Sequence, residues 1–144
     1  MVSELRVGDI MTKQVVIANI SDSLDKVAKI MQKHNIGSVI VVDEKAQKHA
    51  RGIITERDIV HKIIAKGKDP YKTKVEQVMS KPLRVVKPDT ALEEAARAMK
   101  DNKIKRLPVV NDDNELIGII SEGDIMRIFP AIVDIIEERA ALNK

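Results

Sequence analysis

The sequence contains one pattern twice, GIITERDIV at 52–60 and GIISEGDIM at 118–126. Shifting the chain on itself by 68 positions extends the match, bringing Met11 onto Met79, Lys13 onto Lys81, Leu24 onto Leu92, Met31 onto Met99 and Val41 onto Val109. Beyond residue 44 the shift falls to 66, because EKAQKHARG is two residues longer than DDNELIG. A length change confined to a polar turn is what a duplicated fold tolerates. Two copies in 144 residues are too few for a solenoid, so they predict a pair of like units related by a pseudo-twofold axis.

Each copy reads as strand, helix, strand, strand, helix. VVIAN and LRVVK supply short first strands. Leu24, Val27, Ala28 and Met31 recur at helical spacing, as do Leu92, Ala95, Ala96 and Met99. Ser21 to Ser23 and Asp89–Thr90 offer N-cap oxygens to those helices. SVIVVD (38–43) and RLPVVN (106–111) are β-branched runs of the kind that form buried strands. Polar turns lead to second strands, ARGIIT (50–55) and ELIGIIS (115–121), and then to helices, ERDIVHKIIAK (56–66) and EGDIMRIF (122–129). The polar KGKDPYKTK stretch reads as a connection. After Pro130, Ile132, Val133, Ile135 and Ile136 predict a last helix whose apolar face needs a cover, such as a second subunit. The expected organisation is repeat 1 at 1–66, a linker at 67–74, repeat 2 at 75–130 and a C-terminal helix at 131–144. The fold class is mixed α/β, each repeat a small sheet packed against two helices.

Composition removes several functions. With 44% hydrophobic and 33% charged residues the chain has the make-up of a globular protein. No apolar run approaches the roughly 18 residues of a membrane span, and MVSELRVGDI has no secretory core, so a cytoplasmic location is expected. The absence of cysteine excludes thiolate chemistry and disulfides. Tyr71 and Phe129 are the only aromatics, which argues against a protein that stacks single-stranded nucleic acid on aromatic faces. A net charge of +3 is too small to imply nucleic acid by itself. His34, His49 and His61 share no metal-ligand spacing, and NDDNELIG lacks the spaced oxygens of a calcium loop. No nucleophile–base set, P-loop or GxGxxG is present, so no enzyme is expected.

The doubled motif sets a hydroxyl three residues before an aspartate: Thr55 and Asp58, then Ser121 and Asp124. One reading is structural, a capping box in which hydroxyl and carboxylate satisfy the first backbone N–H groups of a helix. The other is a ligand site. Unpaired N–H groups at a helix start favour phosphate, and a carboxylate in the first turn accepts from both hydroxyls of a ribose. The glycine before each motif would let a ligand approach the backbone.

With GDIMTK and EQVMSK at the openings, NIGSVIVVD and KIKRLPVVN in the middle, and GIITERDIV and GIISEGDIM at the ends, the chain resembles a tandem pair of CBS domains, the family named after cystathionine β-synthase. The resemblance implies two clefts between the repeats that take AMP, ADP, ATP or S-adenosylmethionine. It places Thr55 and Asp58 opposite Ile104, Lys105 and Arg106 in a first cleft, with Val86 and Lys87 near the adenine. Arg57, a cation in the first turn of its helix, either points to solvent or meets an anionic partner in that cleft. The second cleft would join Ser121 and Asp124 to Ile36, Gly37 and Ser38, with Ala18 near the adenine. It also implies a stand-alone regulatory, energy-sensing module without catalysis or cofactor, a homodimer acting on an effector protein in trans. A ligand-free dimerisation module and a nucleic-acid binder using the linker lysines are the competing readings.

Overall fold

In a computed structural model, the structure describes residues 5–46, 49–81, 84–128 and 137–138. The order is α1 (Val7–Ile10), β1 (Ile17–Asn19), α2 (Leu24–His34), β2 (Ser38–Asp43), β3 (His49–Thr55) and α3 (Glu56–Asp58), which continues as a π-helix, Ile59–Ile64. Then come α4 (Leu92–Asp101), β4 (Arg106–Val110), β5 (Leu116–Ser121) and α5 (Glu122–Ile128). The fold is mixed α/β, as the period changes in the sequence predict. No described helix is long and apolar enough to cross a membrane. Glu137 and Glu138 are helical. The rest of the expected C-terminal helix lies outside the described residues.

The chain forms two compact units, and these are not the sequence repeats. One holds residues 16–83 and 114–116; the other holds 1–15, 84–113 and 117–144. Each repeat's opening segment therefore belongs to the unit built mainly from the other repeat. Val75, Val78 and Met79 sit in the core of the first unit with Leu24, Val27, Val39, Val41, Ile54 and Ile63. Val7 sits in the core of the second with Leu92, Ala95, Met99, Leu107, Ile120 and Ile125. Fully burying such a side chain contributes about 1.5–3 kcal/mol, enough to hold a short segment in place. Backbone bonds add to it: the Ser80 amide donates to the Ile53 carbonyl at 2.9 Å, and the Thr12 amide donates to Ile119 at 2.9 Å.

In the first unit β2 is central, parallel to β1 and antiparallel to β3, with a bulge between Val41 and Val42. The second unit keeps the β4–β5 pair, but residues 84–87, the described part of LRVVK, do not form the expected strand; among them only Val86 bridges, to Val109. Proline explains the difference. In repeat 1 the Ile20 amide donates to Val42 at 3.0 Å and extends the ladder. Its counterpart in repeat 2 is Pro88, which has no N–H to give.

The expected N-caps also differ. Ser23 and Ala91 occupy the cap positions, and neither side chain caps its helix. The Leu24 amide donates to the carbonyls of Pro70 (3.1 Å) and Thr73 (3.0 Å), and the Leu92 amide donates to Leu5 (3.0 Å). Those first N–H groups are satisfied by distant backbone, which removes the need for a side-chain oxygen. The helix expected over 56–66 widens to π geometry after Asp58 and ends at Ile64. Ala28, read as part of the apolar stripe, is exposed.

Candidate functional site

Both copies of the motif form the same turn. The Thr55 amide donates to Asp58 Oδ2 at 3.0 Å, while the Asp58 amide donates to Thr55 Oγ1 at 3.1 Å. In the second copy the Ser121 amide donates to Asp124 Oδ2 at 2.9 Å, and the Asp124 amide donates to Ser121 Oγ at 3.1 Å. These are reciprocal capping boxes. Capping uses Oδ2 of each aspartate and leaves Oδ1 to a cation. Lys62 Nζ lies 3.2 Å from Oδ1 of Asp58, and Arg127 Nη2 lies 2.9 Å from Oδ1 of Asp124. The aspartate side chains are 14% and 13% exposed, so each carboxylate stands at a surface. Lys62 and Arg127 do not figure among the sequence candidates. Their spacing from the aspartates, four and three residues on, is the helical ion-pair signal that finds them.

Within each unit the motif turn lies beside the start of the preceding strand. Ser38 pairs with Thr55 across the β2–β3 ladder, and the Glu56 amide donates to the Gly37 carbonyl at 2.9 Å. The Glu122 amide likewise donates to the Lys105 carbonyl at 2.9 Å. Antiparallel pairing brings the first residues of one strand to the last residues of the next. So Gly37 and Ser38 neighbour the Asp58 turn, and Lys105 and Arg106 lead into the strand beside the Asp124 turn.

Arg57 and Lys105 are exposed, Ile36, Ile104 and Arg106 are half-buried, and Arg57 and Arg106 make no ion pair with described residues. Lys87 is engaged: its ammonium meets Asp112 Oδ1 at 2.9 Å. The hydrogen bond and charge of that carboxylate raise the pKa of Lys87 above the ordinary lysine value. Ala18 and Val86, 1% and 8% exposed, direct their side chains into the cores of their own units. A mostly apolar cavity of about 300 Å³ between α4 and α5 is lined by Met99, Ile104, Lys105, Glu122 and Ile125, among others.

The glycines serve a different purpose from the one read in the sequence. A Cβ on Gly52 would lie 2.8 Å from both Met79 Sδ and the Ser80 carbonyl oxygen. One on Gly118 would lie 2.7 Å from Met11 Sδ and 3.1 Å from the Thr12 carbonyl oxygen. The missing side chain admits the opening segment of the other repeat, and that space is filled by protein.

Duplicated strand–helix units closing on a hydroxyl–aspartate turn define a protein built from paired CBS domains. The chain belongs to that family: the model of the CBS domain matches residues 7–65 and 75–131. Among its relatives is the uncharacterized protein MK0525 of Methanopyrus kandleri, 39% identical over 132 residues, which cover 92% of this chain and 66% of that protein. The chain thus spans just under two thirds of MK0525. The CBS domain pair of protein MJ0100, solved in complex with 5′-methylthioadenosine and S-adenosyl-L-methionine, superposes with a TM-score of 0.75 at 32% identity, covering 88% of this chain and 96% of that one. CBSX2, solved in complex with AMP, gives a TM-score of 0.74 at 29% identity, covering 89% and 98%.

Proposed function

We propose that this chain is a non-catalytic regulatory module that binds an adenosine nucleotide at its motif turns and signals by a change of conformation. The observation that carries the reading is the doubled turn itself. Each presents an aspartate whose Oδ2 is fixed by backbone while Oδ1 faces a single cation at a partly exposed surface. Such a carboxylate has lone pairs left for the two hydroxyls of a ribose. The adenosyl compounds held by the MJ0100 pair and the AMP held by CBSX2 support the same ligand class.

In this reading Asp58 and Asp124 take the ribose, Thr55 and Ser121 shape the turns, and Gly37 and Ser38 lie alongside the first turn. Arg57, Lys105 and Arg106 serve the phosphates, because a guanidinium matches phosphate oxygens in a bidentate fork. Calorimetric titration with AMP, ADP, ATP, S-adenosylmethionine and adenosine tests the proposal. Saturable binding of at least one is expected, and no heat from any of them at millimolar ligand refutes it. Arg106→Ala should weaken AMP about three- to tenfold, up to about 1.4 kcal/mol, and leave adenosine unchanged. Repeating that titration in Asp58→Asn and Asp124→Asn backgrounds shows which turn Arg106 serves.

A homodimer belongs to the same proposal. Val60 and Ile64 are 53% and 61% exposed on the π-helix, and Met126 and Ile128 are 42% and 48% exposed on α5. Phe129, expected on the second face, lies outside the described residues. Helical faces carrying exposed aliphatic side chains are suited to cover one another. Sedimentation at tens of micromolar should give twice the chain mass. A monomer with and without AMP contradicts this part of the proposal. The regulated partner is then a protein acted on in trans, through ligand-dependent bias between two arrangements.

A further inference from the structure

Lys62 does more than neutralise a carboxylate. Its ammonium lies 3.2 Å from Asp58 Oδ1 and also donates to the Val78 carbonyl at 3.0 Å. Val78 belongs to the opening segment of repeat 2, which enters the core of the first unit through Val75, Val78 and Met79. That segment is fastened to β3 immediately before the motif turn. Ile53 and Ser80 exchange backbone bonds of 3.3 and 2.9 Å, and the Met79 side chain lies against Gly52. One side chain thus joins the proposed ribose acceptor to the stretch of chain that leads into the second repeat.

The second copy keeps the backbone part of this arrangement and lacks the side-chain part. Thr12 and Ile119 exchange bonds of 2.9 Å each way, as Ser80 and Ile53 do. The cation at Asp124 is Arg127, three residues on, and its side chain is 75% exposed, against 44% for Lys62. The difference comes from the sequence: the residue of repeat 2 that matches Lys62 is Ile128, which has no charge to offer. In α5 the regular turn carries the cation at the third position. In repeat 1 the chain widens to a π-helix from Ile59, and the cation stands at the fourth position, within reach of Val78. Single π turns inside helices are frequent at functional positions.

We propose that Lys62 is a positioning residue that relays occupancy of the Asp58 turn to the opening segment of repeat 2, with no equivalent relay at Asp124. The part played by the ligand rests on the nucleotide reading above; the link between Asp58, Lys62 and Val78 does not. Ribose hydroxyls accepted by Asp58 share Oδ1 with Lys62 and change its hold on the Val78 carbonyl. The first site then reports to the junction between the repeats, while the second adds affinity without that report.

Native-state hydrogen exchange at the Ser80 amide separates the two parts. Without ligand, Lys62→Met should speed exchange at Ser80 about threefold or more, and Lys62→Arg should stay near the parent. Asp58→Asn should act in the same direction, and the double variant should exchange no faster than Lys62→Met alone. Effects that multiply, or a Lys62→Met variant with unchanged Ser80 exchange, overturn the relay. With saturating AMP, exchange at Ser80 in the parent chain should shift at least threefold. In Lys62→Met, with AMP bound, it should stay put, and a shift that persists there overturns the relay. If neither AMP nor any of the other four adenosine compounds binds the parent chain, the nucleotide reading fails, and the ligand-free comparisons still decide the link. If another of them binds in place of AMP, the exchange comparison is made with that compound.

Discussion

Gly52→Ala should destabilise the protein by about 2–3 kcal/mol, the upper part of the range for overpacking a filled interior. Gly52 does not use a left-handed backbone, so alanine would ordinarily be tolerated or mildly stabilising there. Space is what forbids it. The new Cβ would stand 2.8 Å from the Ser80 carbonyl oxygen, which accepts from the Ile53 amide and cannot move without breaking that bond. At Gly118 the backbone oxygen of Thr12 is 3.1 Å away, and the 2.7 Å contact is to the end of the flexible Met11 side chain. Gly118→Ala should therefore cost less, about 1–2 kcal/mol. Urea unfolding of both variants checks the order. Two variants as stable as the parent would show that the opening segments are not seated against these glycines.

Asp58→Asn should weaken nucleotide binding roughly tenfold or more, because a hydrogen bond to a charged acceptor contributes about 1.5–3 kcal/mol. The fold should tolerate the change. An amide oxygen can still accept the Thr55 N–H, so the loss of capping should be about 1 kcal/mol or less. The effects divide cleanly: a cap alone predicts a small stability loss with affinity unchanged, while a ribose acceptor predicts the reverse weighting. Aspartate at this spacing also receives a backbone amide elsewhere in the chain: the Arg6 amide donates to Asp9 at 2.8 Å at the start of α1, and the Asn19 amide to Asp22 at 2.9 Å in the turn after β1. Asp22 also meets a cation on Oδ1, Lys26 at 3.1 Å, so what sets Asp58 and Asp124 apart is the reciprocal hydroxyl–aspartate cap at the same strand-to-helix junction in both copies.

The duplication made the fold legible, because apolar period and turn chemistry repeat in the same order in both copies. Local sequence could not reveal what depends on distant chain. The opening segments lie next to their own repeats in sequence, and their burial in the opposite units appears only when Val7 and Val75 are placed. Helices α2 and α4 lack side-chain caps because Pro70, Thr73 and Leu5 supply carbonyls from afar. The weak first strand of repeat 2 was readable in principle, since Pro88 stands where Ile20 donates. At the site, the capping partners were readable from a spacing of three, and the Lys62 and Arg127 pairs from helical spacing. The bond from Lys62 to the Val78 carbonyl has no such signature, because Val78 lies in the opening segment of the other repeat.

Titrating AMP into the parent chain beside Asp58→Asn in one calorimeter tests the central claim most directly. The account predicts saturable binding to the parent and an affinity at least tenfold weaker at the substituted turn. Equal AMP binding by parent and variant, both folded, would contradict it and leave the doubled motif as a pair of helix caps.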